Sequence, residues 1–101
     1  MIIFAAFFYK YKTQEMEELY QQFIASAGVC TDTRKIVPNS IYFALKGASF
    51  DGNTFAAEAL NKGATLAVID NPAYQIDERT ILVPDALLAL QELANYHRRT
   101  L

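Results

Sequence analysis

One cysteine, Cys30, and one histidine, His97, are all this chain offers toward thiolate and imidazole chemistry. A lone thiol forms no internal disulfide, and one thiol with one imidazole builds no structural zinc site. A charge surplus is missing as well. Nine basic against eleven acidic side chains leave a net charge of −2, whereas a nonspecific nucleic-acid binder needs a clear basic excess. The longest hydrophobic run, Met1–Tyr9, has nine residues, against the roughly 20 that span a membrane as a helix. It also lacks the basic start and small-residue cleavage site of a secretory signal. What is present suffices for a core: of 101 residues 52% are apolar and 20% charged, the balance of one globular domain. These features point to a reducing, cytoplasmic setting, with no nucleic acid as partner and no membrane insertion.

Residues 1–15 stand apart as an N-terminal extension. Their apolar part is rich in β-branched and aromatic residues, so an ordered form reads as strand rather than helix. Three readings compete: an added strand, an oligomerisation segment, and non-native sequence ahead of the true start. Met16, at the head of the first well-formed helix, favours the last.

From Met16 the pattern is regular. Met16, Leu19, Tyr20, Phe23, Ile24 and Ala27 fall on one helical face, with Gly28 as the left-handed stop. Val29–Thr31 is a short apolar run, and Pro38-Asn39-Ser40 signals a turn. Ile41–Leu45 reads as a strand covered on both faces, and 46–53 as a loop. Asn53 or Thr54 is placed to cap a helix from Phe55 to Lys62 that Gly63 closes. Strands follow at 65–70 and 80–83. Asp85 then caps a last helix with Leu87, Leu90, Ala94 and His97 on its inner face and Leu88 beside them. This order predicts an α/β domain, a small three-layer-like arrangement with a mixed, partly parallel sheet and flanking helices.

The segment 41–62 is the most informative. A loop that leaves a buried strand and feeds a helix N-terminus offers free N–H groups to an anion. Gly47-x-x-x-x-Gly52-Asn53-Thr54 approaches the phosphate-loop pattern, but Asn53 stands where the lysine that reaches the β- and γ-phosphates belongs, which argues against ATP hydrolysis here. If the two strands are neighbours, Arg34, Lys46 and the 47–52 backbone can converge on one anionic ligand. The competing expectation is that Asp32 and Arg34 merely pin their loop as an ion pair. Cys30 reads as a small buried residue and His97 as a surface or interdomain residue. Nothing in the sequence pairs a nucleophile with a base and an orienting group.

The blocks Thr31-Asp32-Thr33-Arg34-Lys35, Asn39–Gly47, Phe50-Asp51-Gly52-Asn53-x-Phe55 and Gly63-Ala64 resemble the N-terminal domain of the Mur ligases, over roughly Met16 to Arg99. The resemblance implies a three-domain enzyme of peptidoglycan synthesis whose N-terminal domain holds the UDP end of a UDP-N-acetylmuramoyl-peptide. A central domain would carry the ATP loop, and a C-terminal one would help bind the incoming amino acid or dipeptide. It divides this chain into the extension 1–15, a substrate-binding domain 16–84 and, at 85–101, the start of a linker helix toward a missing central domain. No cofactor is expected in this stretch, with ATP and Mg2+ acting in the full-length ligase. The substrate-binding set it implies is Thr33, Arg34, Lys46, Gly47, Ser49, Phe50, Asp51 and Asn53, with no catalytic residue and no metal ligand. Thr33 and the 47–50 backbone would meet uracil and ribose, Arg34 or Lys46 the diphosphate, while Asp51-Gly52 would shape the turn. Asn53 departs from the histidine of many relatives. Ala44–Gly47 with Phe50 favours a dipeptide-adding member over the one that adds the third residue, a diamino acid or lysine. A stand-alone nucleotide-sugar-binding module is the alternative from another class, and a fusion to alanine racemase stays open.

Overall fold

A computed structural model describes residues 13–100; the readings made for Met1–Lys12 lie outside the described residues. Helix α1 (Thr13–Ala25) leads into strand β1 (Val29–Cys30), a 3-10 turn at Thr33–Lys35 and strand β2 (Ile41–Phe43). A hairpin of β3 (Lys46–Gly47) and β4 (Phe50–Asp51), a 3-10 turn at Gly52–Phe55 and helix α2 (Ala56–Asn61) follow. Strand β5 (Leu66–Ile69), a 3-10 turn at Pro72–Tyr74, strand β6 (Thr80–Leu82) and helix α3 (Ala86–Thr100) complete the order.

The main sheet has the order β1-β2-β5-β6 and every pairing in it is parallel. The antiparallel part of the expected mixed sheet is the separate β3–β4 hairpin, inside a stretch expected to be loop. Side-chain alternation along β2 explains the three layers. Ile41 and Phe43 face a core shared with Met16, Leu19 and Tyr20 of α1 and Ala86, Ala89 and Leu93 of α3. Tyr42 and Ala44 face the opposite core, with Ala56, Ala59 and Leu60 of α2. Each large side chain so buried contributes about 1.5–3 kcal/mol relative to exposure.

Helix ends follow local chemistry. Gly28, at φ +121, turns the chain out of α1 in a conformation other residues rarely adopt. Asn39, at φ 72, supplies the turn before β2, and its amide donates to the Ala25 carbonyl at 3.3 Å. Asp85 caps α3 as expected, its carboxylate accepting from the Leu88 N–H at 3.0 Å.

Two helix faces differ from expectation. The inner stripe of α3 is Ala86, Ala89 and Leu93, while Leu87 and Ala94 are exposed. Small alanines let the helix come close to the sheet, and a reading weighted toward leucines rotates the stripe by about one residue. On α1, Ile24 in the last turn is exposed, and so is Ala27, which lies beyond the helix end at Ala25. The boundary expected at 15/16 falls inside α1, and α3 contributes to the same core as the strands.

Candidate functional site

Parallel neighbours β1 and β2 send both of their following turns out of the same edge of the sheet, the carboxyl edge where α/β folds hold ligands. After β1, Asp32 caps the Thr33–Lys35 turn by accepting from the Arg34 N–H at 2.9 Å. The Arg34 guanidinium returns to the same carboxylate in a fork, Nε to Oδ1 at 3.0 Å and Nη2 to Oδ2 at 2.9 Å. That hydrogen bonding pulls the Asp32 carboxyl down to about 2. The Arg34 side chain is 84% exposed, so the pair contributes little to stability; its effect is to orient a cation toward solvent with Nη1 outside the fork. Thr33 is buried, and its carbonyl accepts from Lys62 Nζ at 3.0 Å.

After β2 the chain turns back on itself. Lys46 pairs with Asp51 and Gly47 with Phe50, leaving Ala48 and Ser49 exposed at the hairpin tip. A Cβ on Gly47 would touch only Phe50 Cβ, at 3.7 Å, so the tip backbone is open on that side. Phe50 is 47% exposed and stacks on Phe55, centroids 5.5 Å apart and planes 18° from parallel. A half-exposed stacked pair of this kind is a platform for a planar ring.

The hairpin is closed by an Asx turn. Asp51 accepts from the Asn53 N–H at 3.0 Å and from Asn53 Nδ2 at 2.8 Å. Those two hydrogen bonds hold its carboxyl below the ordinary range. Asn53, expected as a ligand contact or helix cap, is fully buried. Its Nδ2 also donates to Asp70 Oδ1 at 2.9 Å, and its Oδ1 accepts from the N–H groups of Asp70 and Asn71 at 3.0 and 3.3 Å. The whole amide is used inside the protein, so Asn53 shapes the loop; Asp51 caps the Gly52–Phe55 turn, and α2 begins after Phe55 without a side-chain cap.

Sequence reasoning passed over two members of this cluster. Asp70, which closes β5, has a side chain only 9% exposed; it takes Lys46 Nζ at 3.4 Å and the Ala86 N–H at 2.9 Å. Burial pushes its carboxyl up, but Ala86, Asn53 and Lys46 together outweigh that and hold it low. The available signal was its place at the carboxyl end of a parallel strand. Tyr42 is the other. Burial first, then the surrounding anions, raise its phenol to about 12, and its hydroxyl donates to the Gly52 carbonyl at 2.9 Å. Tyr42→Phe is expected to cost about 1–2 kcal/mol, because a buried carbonyl loses its donor; urea unfolding measures it.

The other singled-out residues serve packing. His97 Nδ1 lies 3.0 Å from the Tyr20 hydroxyl between α1 and α3, and Cys30 Sγ donates to the Asp32 carbonyl at 3.1 Å. A groove of about 660 Å³ between α1, β6 and α3 is lined by none of the expected site residues. Among the described residues there is no group of three or more His, Cys, Asp or Glu that could hold a metal ion, and no helix long and apolar enough to cross a membrane. The 47–52 glycine spacing does not fit an ATP loop. Its first half is a hairpin, and the residue at the lysine position is buried with its amide fully engaged.

The chain is thus a parallel α/β sandwich with two polar turns at the carboxyl edge of its sheet. Residues 25–98 match the family model described as "Mur ligase family, catalytic domain". The chain belongs to the Mur ligase family. It is 43% identical over 68 residues, 65% of this chain and 15% of the relative, to the UDP-N-acetylmuramoyl-tripeptide–D-alanyl-D-alanine ligase of Synechocystis. It is 38% identical over 65 residues to the UDP-N-acetylmuramoyl-L-alanyl-D-glutamate–2,6-diaminopimelate ligase of Rickettsia typhi, covering 64% of this chain and 13% of that one. The MurF ligase of Thermotoga maritima, solved in complex with ADP, superimposes with a TM-score of 0.62 at 26% identity, over 67% of this chain and 16% of that chain. The chain thus spans about 15% of the length of the relative from Synechocystis.

Proposed function

We propose that this chain is the part of a dipeptide-adding Mur ligase that holds the UDP end of UDP-N-acetylmuramoyl-tripeptide, before D-alanyl-D-alanine is joined to it. The observation that carries this reading is the pairing, at one sheet edge, of an outward guanidinium with an open hairpin backbone and an aromatic stack. Arg34 and Lys46 match the charge of a diphosphate, Phe50 on Phe55 matches the face of uracil, and the exposed backbone of Ala48 and Ser49 at the hairpin tip can meet carbonyl and phosphate oxygens. Asp51 and Asn53 hold the hairpin in shape, and Thr33 fixes the neighbouring turn against α2. Within the full-length ligase, ATP and Mg2+ would activate the substrate carboxylate as an acyl phosphate; no residue described here takes that part.

Titration of UDP into isotope-labelled protein tests the assignment. Amides of Thr33, Arg34 and residues 46–53 should move, and Arg34→Ala should weaken binding about tenfold, the effect of losing a charge-assisted contact. Shifts confined to the groove between α1, β6 and α3 would overturn it. The sister reading, a ligase adding the third residue, is favoured by the similarity to the diaminopimelate-adding enzyme. Comparing UDP-muramoyl tripeptide with dipeptide as ligands of the full-length ligase separates the two.

A further inference from the structure

Asp70 hydrogen-bonds both the 46–53 loop and the first turn of α3. Its Oδ1 receives Asn53 Nδ2 at 2.9 Å and Lys46 Nζ at 3.4 Å, while Oδ2 receives the Ala86 N–H at 2.9 Å. Its own N–H closes the ring by donating to Asn53 Oδ1 at 3.0 Å. Ala86 begins α3, so the carboxylate sits on the N-terminal end of that helix, where a negative charge is stabilised. Lys46 opens the hairpin, and Asn53 lies in the 3-10 turn directly after it. A single buried carboxylate therefore joins both ends of the hairpin loop to the first turn of a helix on the other face of the sheet.

We propose that Asp70 is a positioning residue that makes the 46–53 loop and the first turn of α3 order and loosen together. Displacing the loop withdraws Lys46 and Asn53 from Oδ1, and the carboxylate loses the two donors that hold it over Ala86. Displacing the helix removes the donor to Oδ2 and frees the carboxylate to rotate away from Lys46. The side chain is too enclosed for water to replace either partner without cost. Ligand held by the loop would thus be felt at α3, a consequence that rests on the UDP reading above; the coupling itself does not.

Amide hydrogen exchange on the 101-residue chain tests the coupling without ligand. In Asp70→Asn, exchange at Gly47–Asn53 and at Ala86–Leu88 should accelerate together by about tenfold, the loss of one charged hydrogen-bond partner, beyond any change at Ala67–Ile69. Lys46→Met guards against a folding defect, because Lys46 is 56% exposed. It should speed exchange at Ala86–Leu88 about threefold, through the Asp70 carboxylate that Lys46 pairs with. Acceleration of the loop alone in both variants, with α3 following Ala67–Ile69, would overturn the proposal. UDP added to the wild-type chain should slow exchange at Ala86–Leu88. If UDP leaves both loop and helix unchanged, the ligand reading falls while the variants still decide the coupling.

Discussion

Gly52→Ala is expected to cost about 3 kcal/mol or more, combining overpacking with the loss of a buried hydrogen bond. A Cβ built on Gly52 would lie 2.6 Å from the Leu45 carbonyl oxygen, 2.8 Å from the Leu45 nitrogen and 3.0 Å from the Tyr42 hydroxyl. Two of those three atoms are backbone, so no rotamer change relieves the clash. The Gly52 N–H donates to the Leu45 carbonyl at 2.8 Å and the Gly52 carbonyl accepts from Tyr42 at 2.9 Å. Retreat of the chain by a fraction of an ångström strains both. The loss should lower the thermal midpoint by about 12 °C or more, at about 4–8 °C per kcal/mol for a domain of this size. Gly47→Ala is the internal control, since its Cβ meets only an ordinary contact; a change within about 0.5 kcal/mol is expected there. Equal midpoints for the two variants would show that the loop does not pack on Leu45.

The contrast between these glycines marks where sequence reasoning ran out. Both belong to one G-x-x-x-x-G spacing, and the spacing alone suggested an anion-cradling loop. Only the chain path shows that Gly47 sits in an open hairpin while Gly52 is wedged beneath the end of β2. The nearly continuous apolar run Ile41–Leu45 made β2 and its two-sided burial legible, and Asp85 and Gly28 announced helix ends through local chemistry that needs no tertiary context. The inner face of α3 was not legible, because alanine at a close helix–sheet contact carries no stronger signal than leucine at the surface. The pairing of Asp32 with Arg34 was one of the two outcomes left open, and the fork is that pairing: it pins the turn, with Nη1 outside it. Asp70 and Asn53 lie 17 positions apart. Such a pairing depends on the register of β5 against β2, which a single sequence does not disclose.

Asn53→Asp is expected to be the most informative substitution, because it changes charge without changing shape. In the wild-type protein Asn53 Nδ2 donates to Asp51 Oδ1 at 2.8 Å and to Asp70 Oδ1 at 2.9 Å. An aspartate oxygen at that place would face two carboxylate oxygens with no proton between them. At pH 7 the cost should be about 3–5 kcal/mol, the range for a buried charge left without its partner. The pH dependence gives the sign. Burial and two like charges raise the new carboxyl's folded pKa above its unfolded value of about 3.9. The penalty is then complete above the raised folded value, shrinks as pH falls below it, and vanishes below the unfolded one. The wild-type chain behaves oppositely, since Asp51 and Asp70 titrate below the ordinary range. The stability their depressed values supply is present above about pH 4 and is lost as pH falls through those values. Urea unfolding at pH 7, 5.5 and 4.5 should therefore show the two proteins converging on acidification. Asn53→Leu removes the same hydrogen bonds without adding a titrating group, and its deficit should persist down to pH 4.5. A deficit for Asn53→Asp that stays constant across this range would mean that the amide does not lie between the two carboxylates. The shape of the loop would then depend on Gly52 and Tyr42 alone.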